Sequence, residues 1–119
     1  MSKANHANHH FNSHNGSDNF YAHNLSSVVY SEGVRDLASS CESFWLIDLI
    51  CSHQCKKNVS AEGFQCWNLQ KDKDSSFNIV MTDGNDHIIA TQHIPFSDFR
   101  YDSASLWLVN NVLMLPSEY

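Results

Sequence analysis

"LWLVNNVLML", residues 106–115, is the stretch that decides the fold of this chain. Two apolar runs flank Asn110-Asn111, and asparagine is the non-glycine residue that best tolerates the left-handed conformation of a two-residue turn. The stretch therefore predicts a β-hairpin. Each run is apolar on both faces, which is typical of strands covered from both sides. Helices would cover one face. The other face would be covered by residues 20–30, by residues 95–105 or by a second copy of the chain. A homodimer is therefore one of the possibilities that the pattern allows.

The sequence before this hairpin indicates further strands. "FQCWNLQK" (residues 64–71) alternates imperfectly between apolar and polar side chains and ends at the charged stretch "KDKDSS", which predicts a loop. "FNIVMT" (residues 77–82) and "HIIATQHI" (residues 87–94) flank Asp83-Gly84, a pair that favours a tight turn. We therefore expect an antiparallel sheet of about five strands built from sequential hairpins.

Two helices are predicted on the N-terminal side of these strands. Ser31 is a suitable N-cap for a short helix that ends near Ser39. A second helix starts after Ser43 and runs to about Lys57, with apolar residues over most of its circumference, which indicates burial on more than one side. The predicted fold class is α+β, with N-terminal helices packed on the antiparallel sheet.

The chain divides by composition into a tail and one domain. Residues 1–19 are rich in asparagine, histidine and serine and contain very few aliphatic side chains. Such a segment has little apolar surface to offset the entropy of ordering, so it is predicted to be disordered. Residues 20–119 have the length of a single small domain, and the sequence predicts no cofactor for it.

Charge and hydropathy narrow the classes of partner. The 119 residues carry a net charge of -6, the wrong sign for a protein that binds phosphate backbones, so no nucleic-acid partner is expected. No apolar stretch approaches the roughly 20 residues of a membrane-spanning helix, so no membrane partner is expected either. The N-terminus carries no apolar signal-peptide core, which predicts a cytoplasmic location. An acidic surface is compatible with ordinary solubility and with docking on a basic protein.

Six motifs lie between the first predicted helix and the C-terminus: "VYSEGVRDLA" (29–38), "FWLIDLI" (44–50), the strand around Trp67, "DGN" (83–85), "QHIPFSDF" (92–99) and "LMLPSEY" (113–119). Together they resemble a family of uncharacterised small bacterial proteins, a domain of unknown function often found on phage or plasmid-type elements. The resemblance covers about residues 20–119, and its most specific part is the ending Leu-Pro-Ser-Glu-Tyr. It implies an Asp-Gly turn where this chain has Asn110-Asn111. It implies no cysteine site and no known activity.

The four cysteines are the candidate metal ligands. Cys51 and Cys55 lie four residues apart, on one face of the predicted helix, and Cys41 and Cys66 would complete a four-sulfur zinc site. The alternative is four buried or reduced thiols, because free cysteine is among the most buried residue types.

Two further places are candidate binding sites. Asp48 lies within an apolar helical stretch, where a carboxylate needs a partner such as Arg35 or Arg100, or serves as an acid or base. At the C-terminus, Ser117, Glu118 and Tyr119 would form a small acidic recognition patch. The alternative there is that Tyr119 packs and holds the last strand in place.

These features predict a small acidic cytoplasmic protein that acts as a non-enzymatic interaction module. The resemblance suggests an accessory or inhibitory role linked to mobile elements, with a protein partner that the sequence does not identify. Two alternatives stay open. One is a small enzyme or ligand-binding domain that uses Asp48 with a histidine, and the other is a zinc-binding protein that uses the four cysteines.

Overall fold

The computed structural model of the chain describes residues 6–11, 19–24 and 26–119. In these residues strands are more numerous than helices. The elements in chain order are α1 (Ala7–His10), β1 (Phe20–Ala22), β2 (Val29–Ser31), α2 (Glu32–Ser40), α3 (Phe44–His53), α4 (Lys57–Ser60), β3 (Phe64–Lys71), β4 (Phe77–Thr82), β5 (Ile88–Ile94), β6 (Ser103–Val109), β7 (Val112–Met114) and a final 3-10 turn (Pro116–Glu118).

All strands of the described residues belong to one sheet, in the order β1-β2-β7-β6-β3-β4-β5. Neighbouring strands are antiparallel with one exception, because β2 and β7 pair in parallel through Val29 with Val112 and Tyr30 with Leu113. The sheet is therefore mixed. The last strand, β7, lies beside β2, and β1 forms the edge next to β2.

The predicted α+β class is confirmed, but the predicted architecture is wrong. The described residues contain a mixed sheet of seven strands, not an antiparallel sheet of about five, and β1 and β2 precede the main helices. Two physical reasons explain the difference. Strands of three residues are too short to show an alternating pattern, and a parallel pair between β2 and β7 joins distant segments that local periodicity does not connect.

The predicted turns are confirmed by backbone geometry. Asn110 and Asn111 have φ angles of 50° and 68°, as the two central residues of a left-handed hairpin turn require, and β6 and β7 flank them. Gly84 has a φ of 90° in the turn between β4 and β5, where its α-carbon faces the Phe64 ring. Local sequence therefore specifies these hairpins directly.

The helices pack on one face of the sheet. Ser31 caps α2 as predicted, because its hydroxyl accepts a hydrogen bond from the Val34 N–H at 3.2 Å. The α3 helix ends at His53, earlier than predicted, and the imidazole ring of His53 lies against the Trp67 ring with centroids 5.3 Å apart. The fully buried side chains include Leu37, Leu46, Ile50, Trp67, Leu69, Ile79, Met81, Leu106, Leu108 and Leu113.

A buried glutamine on β3 joins α3 and α4 to this core. The Gln65 side chain accepts hydrogen bonds from the Trp67 indole N–H at 3.0 Å and from the Gln54 amide at 2.9 Å. Its own amide donates to the carbonyl oxygen of Val59 at 3.0 Å. A buried amide is tolerated only when it is paired in this way, so Gln65 fixes how the helices sit on the sheet.

Part of the predicted disordered tail lies outside the described residues, namely residues 1–5 and 12–18. Residues 6–11 are described, and they lie beside the part of β6 that β7 does not reach. There the Asn8 side chain accepts a hydrogen bond from the Ser105 N–H at 2.6 Å and donates one to the Ser105 carbonyl at 2.9 Å. Ala7 and Phe11 are buried. Asn8 therefore pairs with the backbone N–H and carbonyl of Ser105 at this edge of β6, as a residue of a neighbouring strand would.

None of the described helices is long and apolar enough to cross a membrane.

Candidate functional site

A cleft lies between the β1–β2 connection and α3. Its volume is about 910 Å³, within the range of small-molecule sites. Apolar side chains such as Tyr30, Phe44 and Ile47 line part of it, and Asp48 is the charged residue among its lining groups. Three of the candidate residues, Asp48, Cys51 and Cys55, line this cleft.

Asp48 is paired with a histidine and not with an arginine. The Asp48 Oδ1 atom lies 2.8 Å from the His23 Nε2 atom, while 71% of the Asp48 side chain is exposed and only 11% of the His23 side chain is. The carboxylate is thus exposed although α3 is largely apolar. Its partner comes from the first hairpin, so the pair bridges the two walls of the cleft.

Ser26 extends this pair into a chain of three side chains. The Ser26 Oγ atom lies 2.9 Å from the His23 Nδ1 atom, and Oγ also accepts a hydrogen bond from the Val28 N–H at 3.2 Å. Because a carboxylate only accepts, the His23 Nε2 atom carries the proton shared with Asp48. In the neutral ring Nδ1 then lacks a proton, so the Ser26 hydroxyl donates to it. Donation of this hydrogen bond increases the negative charge on the Ser26 Oγ atom.

The structure does not bring the four cysteines together into one group. No group of three or more histidine, cysteine, aspartate or glutamate side chains that could hold a metal occurs in the part of the chain that the structure describes, and all four cysteines lie in that part. Cys51 and Cys55 both line the cleft, while Cys66 lies on β3 and Cys41 follows α2. Burial raises the pKa of the Cys51 thiol, which also contacts the Ser26 side chain.

The three candidate residues at the C-terminus have separate surroundings. Glu118 accepts hydrogen bonds from the Ser31 hydroxyl at 2.5 Å, from the Leu115 N–H at 2.9 Å and from the Gly33 N–H at 3.2 Å. Ser117 is exposed. Glu118 is therefore a structural link between the last turn and the start of α2, where a carboxylate also interacts favourably with the helix dipole.

Tyr119 belongs to an aromatic cluster on the face of the sheet opposite the helices. Its ring centroid lies 5.4 Å from that of Trp107 and 6.2 Å from that of Phe64, and the Phe64 and Trp107 centroids are 5.1 Å apart. All three contacts are edge-to-face, the geometry that aromatic pairs prefer. Tyr119 remains 75% exposed, so the cluster is accessible from solvent.

The face of the sheet opposite the helices is called the open face below. Along the five strands β3 to β7, its positions carry no side chain with a formal charge. The strand registers place these side chains of β3 to β7 on it: Phe64, Cys66, Asn68, Gln70, Asn78, Val80, Thr82, Ile88, Thr91, His93, Ser103, Ser105, Trp107, Val109, Val112 and Met114. None of these positions is Asp, Glu, Lys or Arg, in a chain with 20 such residues (13 acidic and 7 basic). A large surface without formal charge is typical of the centre of a protein interface.

Sequence reasoning missed two members of the site. His23 and Ser26 lie in a polar stretch without a recognisable motif, and His23 is 25 residues from Asp48. No spacing rule connects a loop histidine with a carboxylate on a later helix. The signal that would have helped is Val29 and Tyr30, which mark a strand that holds the preceding loop against the helix.

The fold and its surfaces define a small α+β domain with an open sheet face and a polar cleft. The chain belongs to the family of unknown function DUF6876, whose family model matches residues 5–119. No curated protein and no solved structure matches the chain.

Proposed function

We propose that this chain is a protein-interaction module that binds through the open face of its sheet. The observation that carries the proposal is the absence of Asp, Glu, Lys and Arg from this face in strands β3 to β7, all of which are described. Trp107 and Phe64 are half-buried on this face, and their rings contact each other. Tryptophan is among the residues that contribute most to interfaces, because one side chain offers a large rigid contact area.

A second copy of this chain is the occupant that the observations favour. A partner recognised by charge would find no Asp, Glu, Lys or Arg to pair with at the face positions of β3 to β7. Two copies of an acidic chain repel each other least when uncharged surfaces meet and the carboxylates stay outside the contact. Sheets also pack face to face readily, with side chains that interdigitate across about 10 Å.

The size of the face indicates a reversible dimer. Five strands about 4.8 Å apart, with about seven residues at about 3.3 Å each, give a footprint on the order of 500 Å² per copy. Two copies would bury about 1,000 Å², the lower limit for a specific protein interface. We therefore expect association that depends on concentration in the micromolar range. The accessory or inhibitory role and the link to mobile elements stay predictions from the resemblance.

Light scattering of the purified full chain over a range of micromolar concentrations tests this proposal. The wild-type mass is expected to rise from 13.5 kDa toward twice that value. Trp107→Ser and Val80→Lys, both on the open face, are expected to stay monomeric. Phe96→Ser is the matched control, because Phe96 is 73% exposed in the connection between β5 and β6 and should leave the dimer intact. A wild-type monomer at high micromolar concentration would contradict self-association.

A heterologous protein is the other occupant that can be tested. The wild-type chain with its native C-terminus would be used to recover partners from the source cell, beside Trp107→Ser and Phe96→Ser. A stoichiometric partner that only Trp107→Ser loses would confirm the open face and replace the second copy as its occupant. Recovery that is unaffected by Trp107→Ser would contradict a role for this face.

A further inference from the structure

We propose that the cleft between the β1–β2 connection and α3 is a nucleophilic site in which Ser26, activated by His23 and Asp48, attacks small ester substrates. This inference is independent of the open face, which lies on the other side of the sheet from α3. It rests on one continuous chain of hydrogen bonds among residues that line this cleft.

The three side chains fit the roles of nucleophile, general base and orienting acid. The Ser26 Oγ atom and the His23 Nδ1 atom are 2.9 Å apart, and the His23 Nε2 atom and the Asp48 Oδ1 atom are 2.8 Å apart. Both distances lie within the range for proton transfer between a nucleophile and its base. The two ring nitrogens are interchanged relative to the serine-protease triad, but such a triad is recognised by geometry and roles.

The reaction balances with water as the only co-reactant. The Ser26 Oγ atom forms a bond to the carbonyl carbon while its proton moves to the His23 Nδ1 atom. The ester C–O bond then breaks, and Nδ1 returns the proton to the leaving alcohol. Water next attacks the acyl-serine, Nδ1 accepts a proton from that water, and Oγ regains a proton as the carboxylic acid leaves. The proton between Nε2 and Asp48 stays in place and holds the ring in its orientation.

The lining of the cleft indicates the class of substrate. Tyr30, Phe44 and Ile47 offer apolar surface for an acyl or aryl group, and the volume of about 910 Å³ admits a small molecule. Asn24 also lines the cleft and carries an amide that would donate to the developing oxyanion. Because the Asp48 side chain is 71% exposed, water screens its charge and weakens its support of the imidazolium. We therefore expect esters with good leaving groups, and not amides.

An alkyl fluorophosphonate is the probe that tests the site without knowledge of the natural substrate. Attack by Oγ forms an O–P bond and expels fluoride, which leaves a stable mass on one serine. Mass spectrometry of the wild-type chain is expected to place that mass on Ser26. The neighbouring Ser27 also lines the cleft, so Ser27→Ala is the matched control and should be labelled at the wild-type rate.

Variants of the three residues distinguish a serine that a base activates from a serine that reacts only because it is exposed. Ser26→Ala should lose the label. His23→Gln should slow labelling about 10²-fold, the usual contribution of a general base. Asp48→Asn should slow it only about two- to fivefold, because exposed ion pairs contribute little. Thermal melting of each variant confirms that the domain is folded.

Two results would overturn the proposal. One is an unlabelled Ser26 in folded wild-type protein after hours with excess probe. The other is equal labelling of Ser26 and Ser27, or labelling of Ser26 that His23→Gln leaves unchanged, since either would show a hydroxyl that no base activates. Hydrolysis of a nitrophenyl ester, lost with Ser26→Ala and retained with Ser27→Ala, would show turnover beyond the covalent step.

Discussion

The side-chain carboxylate of Glu118 accepts a hydrogen bond from the backbone N–H of Gly33 at 3.2 Å, and so joins the last turn of the chain to the first turn of α2. The same carboxylate binds Ser31, the residue that caps α2, and the Leu115 N–H. These bonds lie beside the parallel pair of β2 and β7. The C-terminus is therefore part of the structure that holds the first strands in the sheet.

Gly33→Ala is expected to destabilise the protein through Glu118. A methyl group at position 33 would lie 2.6 Å from the Glu118 Oε1 atom, and the carboxylate could move away only by weakening its bonds to Ser31 and Leu115. We expect the free energy of unfolding to fall by about 1–3 kcal/mol. In a Glu118→Ala background the same change should cost less than about 0.5 kcal/mol, because alanine favours helix more than glycine does.

A double-mutant cycle in urea measures this coupling. Equal costs of Gly33→Ala in both backgrounds would show that the two residues do not interact. Ser117→Ala is the control, because Ser117 is exposed in the same turn and should change stability by less than about 0.5 kcal/mol.

Gln65→Leu is expected to be costly although it places an apolar side chain in a buried position. It would leave the Trp67 indole N–H, the Gln54 amide and the Val59 carbonyl without their present partner. Unpaired buried groups cost about 1–3 kcal/mol each before relaxation, so we expect a loss of about 2–4 kcal/mol in denaturant unfolding. Gln70→Leu on the same strand is exposed and should change stability by less than about 0.5 kcal/mol. Similar effects of the two substitutions would contradict a structural role for the Gln65 amide.

The turn between β4 and β5 is expected to respond to acid. The hydrogen bonds that Asp83 accepts, from the Asn85 N–H and from the His87 ring, lower the pKa of the Asp83 carboxyl. A carboxyl with a lowered folded-state pKa adds stability above its unfolded pKa, and this contribution is lost as the pH falls through the folded value.

The denaturation midpoints of the wild type and of Asp83→Ala measure this effect. The wild type is expected to be more resistant near neutral pH, and the difference should close as the pH falls below about 4. A difference that persists in stronger acid would mean that the charge of Asp83 does not contribute. Asp86→Ala, in the same turn, is the control for the loss of any nearby carboxylate.

The four thiols are expected to differ in reactivity. Cys55 is exposed, while Cys41 and Cys51 are buried, and burial raises the pKa of both buried thiols. Because the thiolate is the reactive form, a disulfide reagent should modify Cys55 first and the two buried thiols only after local opening. Cys55→Ser should remove the fast phase. If Cys51 were modified as fast as Cys55, the reagent would reach Cys51 without local opening. The cleft would then be wider than the one described above.

Several parts of the fold could be predicted because they depend on neighbouring residues. The turn at Asn110-Asn111 needs two residues that accept positive φ, and Ser31 caps α2 through a bond only three residues away. The alternating strands β3 and β4 are long enough for their pattern to show. Interactions between residues close in sequence leave a signal in composition and spacing, so local sequence determined these hairpins and the first main helix.

Only the tertiary structure decided the mixed sheet and the candidate sites. The pairing of β2 with β7, the bond between Glu118 and Gly33, and the pair of His23 with Asp48 all join residues that are distant in the chain. Such contacts form when the packed core brings the segments together, and no periodicity encodes them. The sequence by itself determined an acidic α+β domain with a hairpin at its end. Packing determined which of its polar residues meet, and among the described residues it placed side chains without formal charge on one face of strands β3 to β7.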